Sequence, residues 1–350
     1  MKITALIYLL LMSTLAFAWP RNNNPHTFEN DLKTHFYSLP DKASIEQNYI
    51  AWPGSHWASH LGGIANRWSA SNPQNFSYNK YSKEELKNLE EHLIDELSPA
   101  EKYDILMGRY DYPTVRREWR ENSPNDTSWF GICHGVAPAA LNHPEPLNNT
   151  IINDDGIKLN FYSSDVKALL SYQYAKIWKS RVKFIGKRCY AYSRDNIRRR
   201  QRSACEDLNP GAFHILFTNF IGLKKKTFIV DIDPLNEVWN HVPKSYYYDV
   251  YEEYETRENA TPGTKKVLWV GAALSYAAAI APYFEPVIGL PQGYYVENNY
   301  SYLLDLDEND NIIGGEWISD LRPDFIWSQE EVPFKGYWDK LNQVYIPRTE

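Results

Sequence analysis

Three observations predict an α+β fold for this chain. Helical periodicity is concentrated in the first half, strand-forming runs dominate the second, and the two do not alternate. Between them, Trp129-Phe130-Gly131-Ile132-Cys133-His134-Gly135-Val136-Ala137-Pro138-Ala139-Ala140 places a cysteine after a glycine-containing turn and at the head of small, helix-forming residues. The expected architecture is this cysteine-bearing helix packed on an antiparallel sheet, preceded by an irregular N-terminal extension.

Taken in order, residues 1–18 read as a secretory signal, with Lys2, an apolar stretch from Ile3 to Leu15, and Ala16-Phe17-Ala18 as a small-x-small cleavage site. The mature chain is therefore expected to begin at Trp19 and to be secreted. Residues 19–80 are rich in Asn, Ser, Pro and Trp without periodicity and read as the extension, with Trp52-Pro53-Gly54-Ser55-His56-Trp57 a turn between two aromatic anchors. The main body is expected over 81–335 and a short tail over 336–350. Ser82 and Glu85 form a capping box ahead of Leu86, Leu89, Leu93, Ile94 and Leu97 at helical spacing. Ser98-Pro99 starts a second helix that Gly108 can stop. Beyond the cysteine helix, residues 165–178 predict another, with Val166, Leu169, Leu170 and Ile177 as its core face.

Strands follow. Residues 212–220 and 227–232 are apolar, β-branched and aromatic, and are expected to pair around the turn Gly222-Leu223-Lys224-Lys225-Lys226. More strands are expected at 266–274, 300–306 and 312–318. The uncharged run 267–282 is too short, and too interrupted by Gly271 and Tyr276, to read as a membrane span.

Composition narrows the function. Aromatics make up 15% of the chain, which excludes a disordered protein. A net charge of −7, with one basic cluster at Arg198-Arg199-Arg200-Gln201-Arg202, argues against a nucleic-acid partner. Of the 3 cysteines, Cys189 and Cys205 flank a polar loop at a spacing suited to a disulfide, a closure that stabilises by ~3 kcal/mol. Cys133 is the thiol left over, and a free thiol in an oxidising compartment is a liability unless it does chemistry.

At a helix N-terminus the first-turn N–H groups and the macrodipole favour a thiolate. On the adjacent strands expected downstream, His214 and Asp231 would face one another, so that Asp231 orients His214 and His214 exchanges a proton with Cys133. His241 is the rival base, His134 points away from its helical neighbour, and Asp233 is the rival orienter. The Cys133 N–H is one oxyanion donor, with a second expected from residues 125–129. Further on, Asp305, Asp307, Asn309, Asn311 and Glu316 stand at positions 1, 3, 5, 7 and 12 of a loop with EF-hand-like oxygen spacing. Two readings stand side by side: a Ca2+ loop and a plain β-hairpin with residues 308–311 at its tip.

Phe130-Gly131-Ile132-Cys133-His134-Gly135, Phe213-His214, Asp231-x-Asp233, Glu237-Val238-Trp239-Asn240 and the run from Asp305 to Trp317 together resemble the transglutaminase elicitor family. The resemblance implies a secreted, calcium-dependent protein-glutamine γ-glutamyltransferase with a cysteine-protease-like core. Its Cys, His and Asp would be Cys133, His214 and Asp231. The substrates implied are proteins bearing glutamine and lysine, or other primary amines. The stretch from Val238 to Glu252 corresponds to the peptide that plant hosts recognise in oomycete members, but is altered at its centre and two residues longer. A secreted cysteine protease or amidase and a non-catalytic wall- or host-binding protein are the alternative readings.

Overall fold

The computed structural model describes residues 19, 22–46, 50–188, 207–233, 237–289 and 294–349. The signal segment, the Cys189 and Cys205 pair and the basic cluster lie outside the described residues.

Helices come first: α1 (Lys83–Asn88), α2 (Glu91–Asp95), α3 (Pro99–Leu106), α4 (Pro113–Glu121), α5 (Cys133–Asn142), α6 (Ser163–Tyr172), then α7 (Pro210–Phe217) and α8 (Leu341–Val344). The expected capping box forms, and Ser98 makes a second: Ser82 and Ser98 accept the N–H groups of Glu85 and Glu101, whose carboxylates return to the serine N–H groups. One expected helix is two, because the chain turns extended at Leu89 before α2 begins.

Antiparallel strands complete the fold. The hairpin β2 (Asn149–Ile152) and β3 (Lys158–Phe161) stands alone. A four-stranded sheet runs in the order β4 (Val182–Gly186), β11 (Phe325–Gln329), β5 (Ile229–Asp231), β6 (Asn240–His241). A five-stranded sheet runs in the order β1 (Lys42–Ser44), β7 (Pro243–Tyr254), β8 (Lys266–Ala277), β9 (Tyr295–Leu306), β10 (Ile312–Trp317).

One expectation fails outright. Residues 212–220 are not a strand but α7, continued by a π turn, Thr218–Lys224. Asn209 caps the helix by accepting the Gly211 N–H at 2.9 Å, and Pro210 takes the first helical position, where a missing N–H costs nothing. Every residue of α7 is buried, so its apolar run is continuous and carries no period that separates a helix from a strand.

The four-stranded sheet is a wall between two cores, and strand alternation sorts its residues. Ile229, Phe325 and Trp327 face the first core, whereas Val230 and Ile326 face the second. The cysteine helix α5 lies on the first face, against β5 and β6. On the second, α7 packs between this sheet and the five-stranded one, against β9 and β10. The N-terminal segment serves both: Phe28, Phe36, Leu39 and Ile45 enter the second core, and Trp52, Trp57 and Ile64 the first. Trp338, Leu341 and Val344 of the C-terminal residues also enter the first. No helix among the described residues is long and apolar enough to cross a membrane.

What seats α5 is the absence of a side chain. A Cβ on Gly135 would stand 2.2 Å from the Ser171 carbonyl oxygen and 2.6 Å from the Ala175 Cβ, so α5 lies flush on α6. Gly135→Val should therefore destabilise the protein by about 1–3 kcal/mol through overpacking, measured by denaturant unfolding. Unchanged stability would show that α5 is free to shift outward.

Candidate active site

Cys133 is the first helical residue of α5, reached through a turn that His56 closes by accepting the Ile132 N–H at 2.8 Å. Its own N–H has no protein partner among the described residues, as befits the first turn of a helix. The side chain opens on a narrow cavity of about 30 Å3, room for about one water. Trp52, His56, Trp239, Asn240 and His241 are among its walls.

Asn240 is the side chain in polar contact with the sulfur. Trp327 donates its indole N–H to Asn240 Oδ1 at 2.7 Å. An indole nitrogen can only donate, so the oxygen is the atom facing Trp327 and the NH2 group must face the other way. It does: Asn240 Nδ2 points at Cys133 Sγ at 3.5 Å, while the thiol donates to the Val238 carbonyl at 3.4 Å.

Asp231 pairs with Asn240 across β5 and β6, and its Oδ1 accepts the Trp239 N–H at 2.8 Å and the Asp233 N–H at 3.4 Å. Its other oxygen is buried without a hydrogen-bond partner. Burial raises the Asp231 carboxyl to about 7, although those two N–H groups pull it down. His241 donates Nδ1–H to the Ala277 carbonyl at 2.6 Å, which selects the tautomer whose Nε2 is an open acceptor. Burial holds His241 below the usual imidazole range.

His214 is not brought to Cys133. With its strand replaced by α7, the ring is fully buried in the second core, stacked on Phe36 at 5.5 Å and edged by Tyr248 and Phe217 at 4.6 and 4.9 Å. Its Nδ1 shares a hydrogen bond with the Tyr302 hydroxyl at 2.9 Å, and Nε2 is buried without a partner. His134 lies on α5, also held below the usual imidazole range by burial.

The expected low thiol pKa is overturned as well. Burial pushes the Cys133 thiol above its ordinary value, outweighing the hydrogen bond from Asn240, and the nearby Asp231 charge pushes the same way. Cys133 and His241 are therefore a neutral thiol and a neutral imidazole at rest, in place of an ion pair.

The expected cation loop is the turn between β9 and β10, and its donors do not fit Ca2+. Asp305 is fully buried and salt-bridged to Arg257 at 2.7 Å, and Glu316 meets the same guanidinium at 2.6 Å. Asp307 accepts the Asn309 and Asn311 N–H groups at 2.8 and 2.9 Å, and Asn311 bonds Thr34 and Asp307. Asp310 takes the left-handed conformation (φ +59°) at the tip, the hairpin geometry of the plainer reading.

Comparison with known proteins gives the family. The transglutaminase elicitor profile matches residues 116–273 and 287–340, more than half of the chain, including Cys133, Asp231, Asn240 and His241 but not Trp52 or His56. The chain belongs to the transglutaminase elicitor family. This family member is similar in structure to the GP42 transglutaminase from Phytophthora sojae, with a TM-score of 0.66, 21% identity, and coverage of 91% of this chain and 94% of that one. No curated protein matches it. The general class, transglutaminase-like, follows from the family. Asn240, Trp327 and His56 were not singled out as site residues: Trp327 lies far along the chain in an apolar strand with no motif, whereas Asn240 lay within the Glu237-to-Asn240 run that carries the family resemblance.

Two measurements follow. Alkylation of Cys133 by iodoacetamide should be slow at neutral pH and accelerate only above the usual thiol range; a rate independent of pH down to 6 would mean a resting ion pair. His214, held down to about 3 by burial, is neutral in the folded protein and gains a proton on unfolding below about 6.5. Its contribution is complete above pH 6.5 and is lost as pH falls toward 3, since the unfolded chain binds the extra proton in that window. Unfolding free energies across this range should fall less steeply in His214→Gln than in wild type; parallel slopes would refute the assignment.

Proposed function

We propose that this family member is a secreted protein-glutamine γ-glutamyltransferase on a cysteine-protease-like core, with Cys133 as nucleophile and His241, not His214, as the proton-exchanging base. The observation that carries this reading is that Cys133 and His241 line one cavity, with the Asn240 amide aimed at the sulfur. Asp231 anchors the Trp239 backbone beside that amide, a positioning role distinct from orienting a histidine.

In the first half-reaction, His241 Nε2 takes the thiol proton as Sγ attacks the γ-carboxamide carbon of a glutamine. The tetrahedral oxyanion is stabilised by the free Cys133 N–H and by Asn240 Nδ2, donors held in place before the reaction begins. Collapse breaks the C–N bond, the imidazolium returns its proton to the departing nitrogen, and ammonia leaves a thioester. A lysine amine then adds to the thioester carbon, His241 takes its proton, and breaking the C–S bond returns that proton to sulfur and releases the isopeptide. Trp52 and Trp239 give the cavity apolar walls, which disfavour a held water as the second nucleophile.

Mass spectrometry of a glutamine peptide incubated with mature protein and a primary amine tests this directly. Amine incorporation is expected for wild type and absent for Cys133→Ala. His241→Gln should lose about 10²–10⁴-fold in rate and Asn240→Ala about 10²-fold, while His214→Gln retains activity wherever it stays folded. Conversion of the glutamine to glutamate, or backbone cleavage, would make the protein an amidase or protease. Full activity in His241→Gln would remove that residue from the mechanism.

A further inference from the structure

The hairpin between β9 and β10 carries the oxygen spacing of a cation loop, and its first and last carboxylates do converge, but on a side chain. Arg257, in the turn between β7 and β8, donates Nε to Asp305 Oδ1 at 2.8 Å, Nη2 to Asp305 Oδ2 at 2.7 Å and Nη1 to Glu316 Oε2 at 2.6 Å. Asp305 Oδ2 accepts two further bonds, from the Thr261 N–H at 2.9 Å and its hydroxyl at 2.7 Å. Oδ2 thus carries three donors, which fill its lone pairs, and Oδ1 keeps one acceptor site beside the guanidinium, whose positive charge repels a metal ion there. The guanidinium is nearly buried, with 11% of the side chain exposed. Of the loop's other acids, Asp310 meets the Lys266 ammonium at 2.8 Å and Asp307 is held by the Asn309 and Asn311 N–H groups. The contact is tight: a Cβ on Gly314 of β10 would stand 2.1 Å from the Thr261 hydroxyl oxygen.

We propose that Arg257 is the built-in cation of this hairpin. It holds the position that a divalent ion would take in a calcium loop, and ties the turn between β7 and β8 to β9 and β10. The planar fork satisfies two carboxylates at fixed geometry, which a point charge cannot do. The hairpin accordingly folds without calcium. Removing the guanidinium leaves Asp305 buried and unpaired and converts the same oxygens into a loop in need of a cation. This inference is independent of the proposed acyl transfer.

Thermal unfolding of the mature full chain, with added calcium and with chelator, tests it. The wild-type melting temperature should be the same in both. Arg257→Gln should melt lower in chelator and recover part of the loss in calcium, and Arg257→Lys, which keeps the charge but loses the fork, should fall between; it also serves if Arg257→Gln does not fold. A control variant, Asp307→Asn with Glu316→Gln, reports on the loop itself. Calcium stabilisation of wild type that disappears in this control would place the ion in the hairpin and overturn the proposal. Stabilisation that persists in the control places the ion elsewhere and leaves the proposal standing. Arg257→Gln melting like wild type in both conditions would also overturn it.

Discussion

The structure depends on how closely α5 can approach its neighbours. Gly135 lets the helix lie against the backbone of α6, and Ala137, Ala139 and Ala140 are buried in the same core. On its other side α5 meets β5 and β6, the two short strands that carry Asp231 and Asn240. A bulkier helix would stand off from the sheet, and Cys133 would no longer reach Asn240. Because the four-stranded sheet is also one wall of the second core, the position of Cys133 is tied to the packing of α7 and the five-stranded sheet behind it.

Electrostatics at the cavity are decided by burial rather than by the helix terminus. First-turn N–H groups favour a thiolate, but only by the amount their partial charges supply. Removing the sulfur from water penalises the charged form more, and the adjacent Asp231 adds to the penalty. In the proposed mechanism such a site keeps its thiol protonated at rest and transfers the proton as substrate binds. Preorganisation then rests on dipoles, chiefly the Asn240 amide turned toward sulfur by the one-way hydrogen bond from Trp327.

Elsewhere several buried acids are neutralised by buried cations. Lys102 meets Asp165 at 2.6 Å with both side chains fully buried, joining α3 to α6. Lys167 meets Glu145 at 2.6 Å, and Glu145 also accepts the Val287 and Ile288 N–H groups at 2.8 Å each. Arg257 does the same between β9 and β10. Such pairs tolerate burial because each carboxylate is hydrogen-bonded as well as paired. The same logic that joins helices to loops supplies the hairpin with a cation of its own.

The sequence by itself determined the local features: the capping box at Ser82, the helix start at Ser98-Pro99, the start of α5 at Cys133, the strands β8, β9 and β10, and the family through separated motifs. Each depends on residues within one or two turns, or on alternation along one strand, and is therefore visible in order. The tertiary structure alone decided which histidine lines the cavity with the thiol. A continuous apolar run has no period, so 212–220 could be strand or helix until packing on both sides made it α7 and carried His214 into the second core. It also decided that Arg257, 48 positions before Asp305, would fill the loop, and that Trp327 would orient Asn240 from 87 positions away. Partners separated so widely leave no local pattern, because their encounter is set by the folding of everything between them.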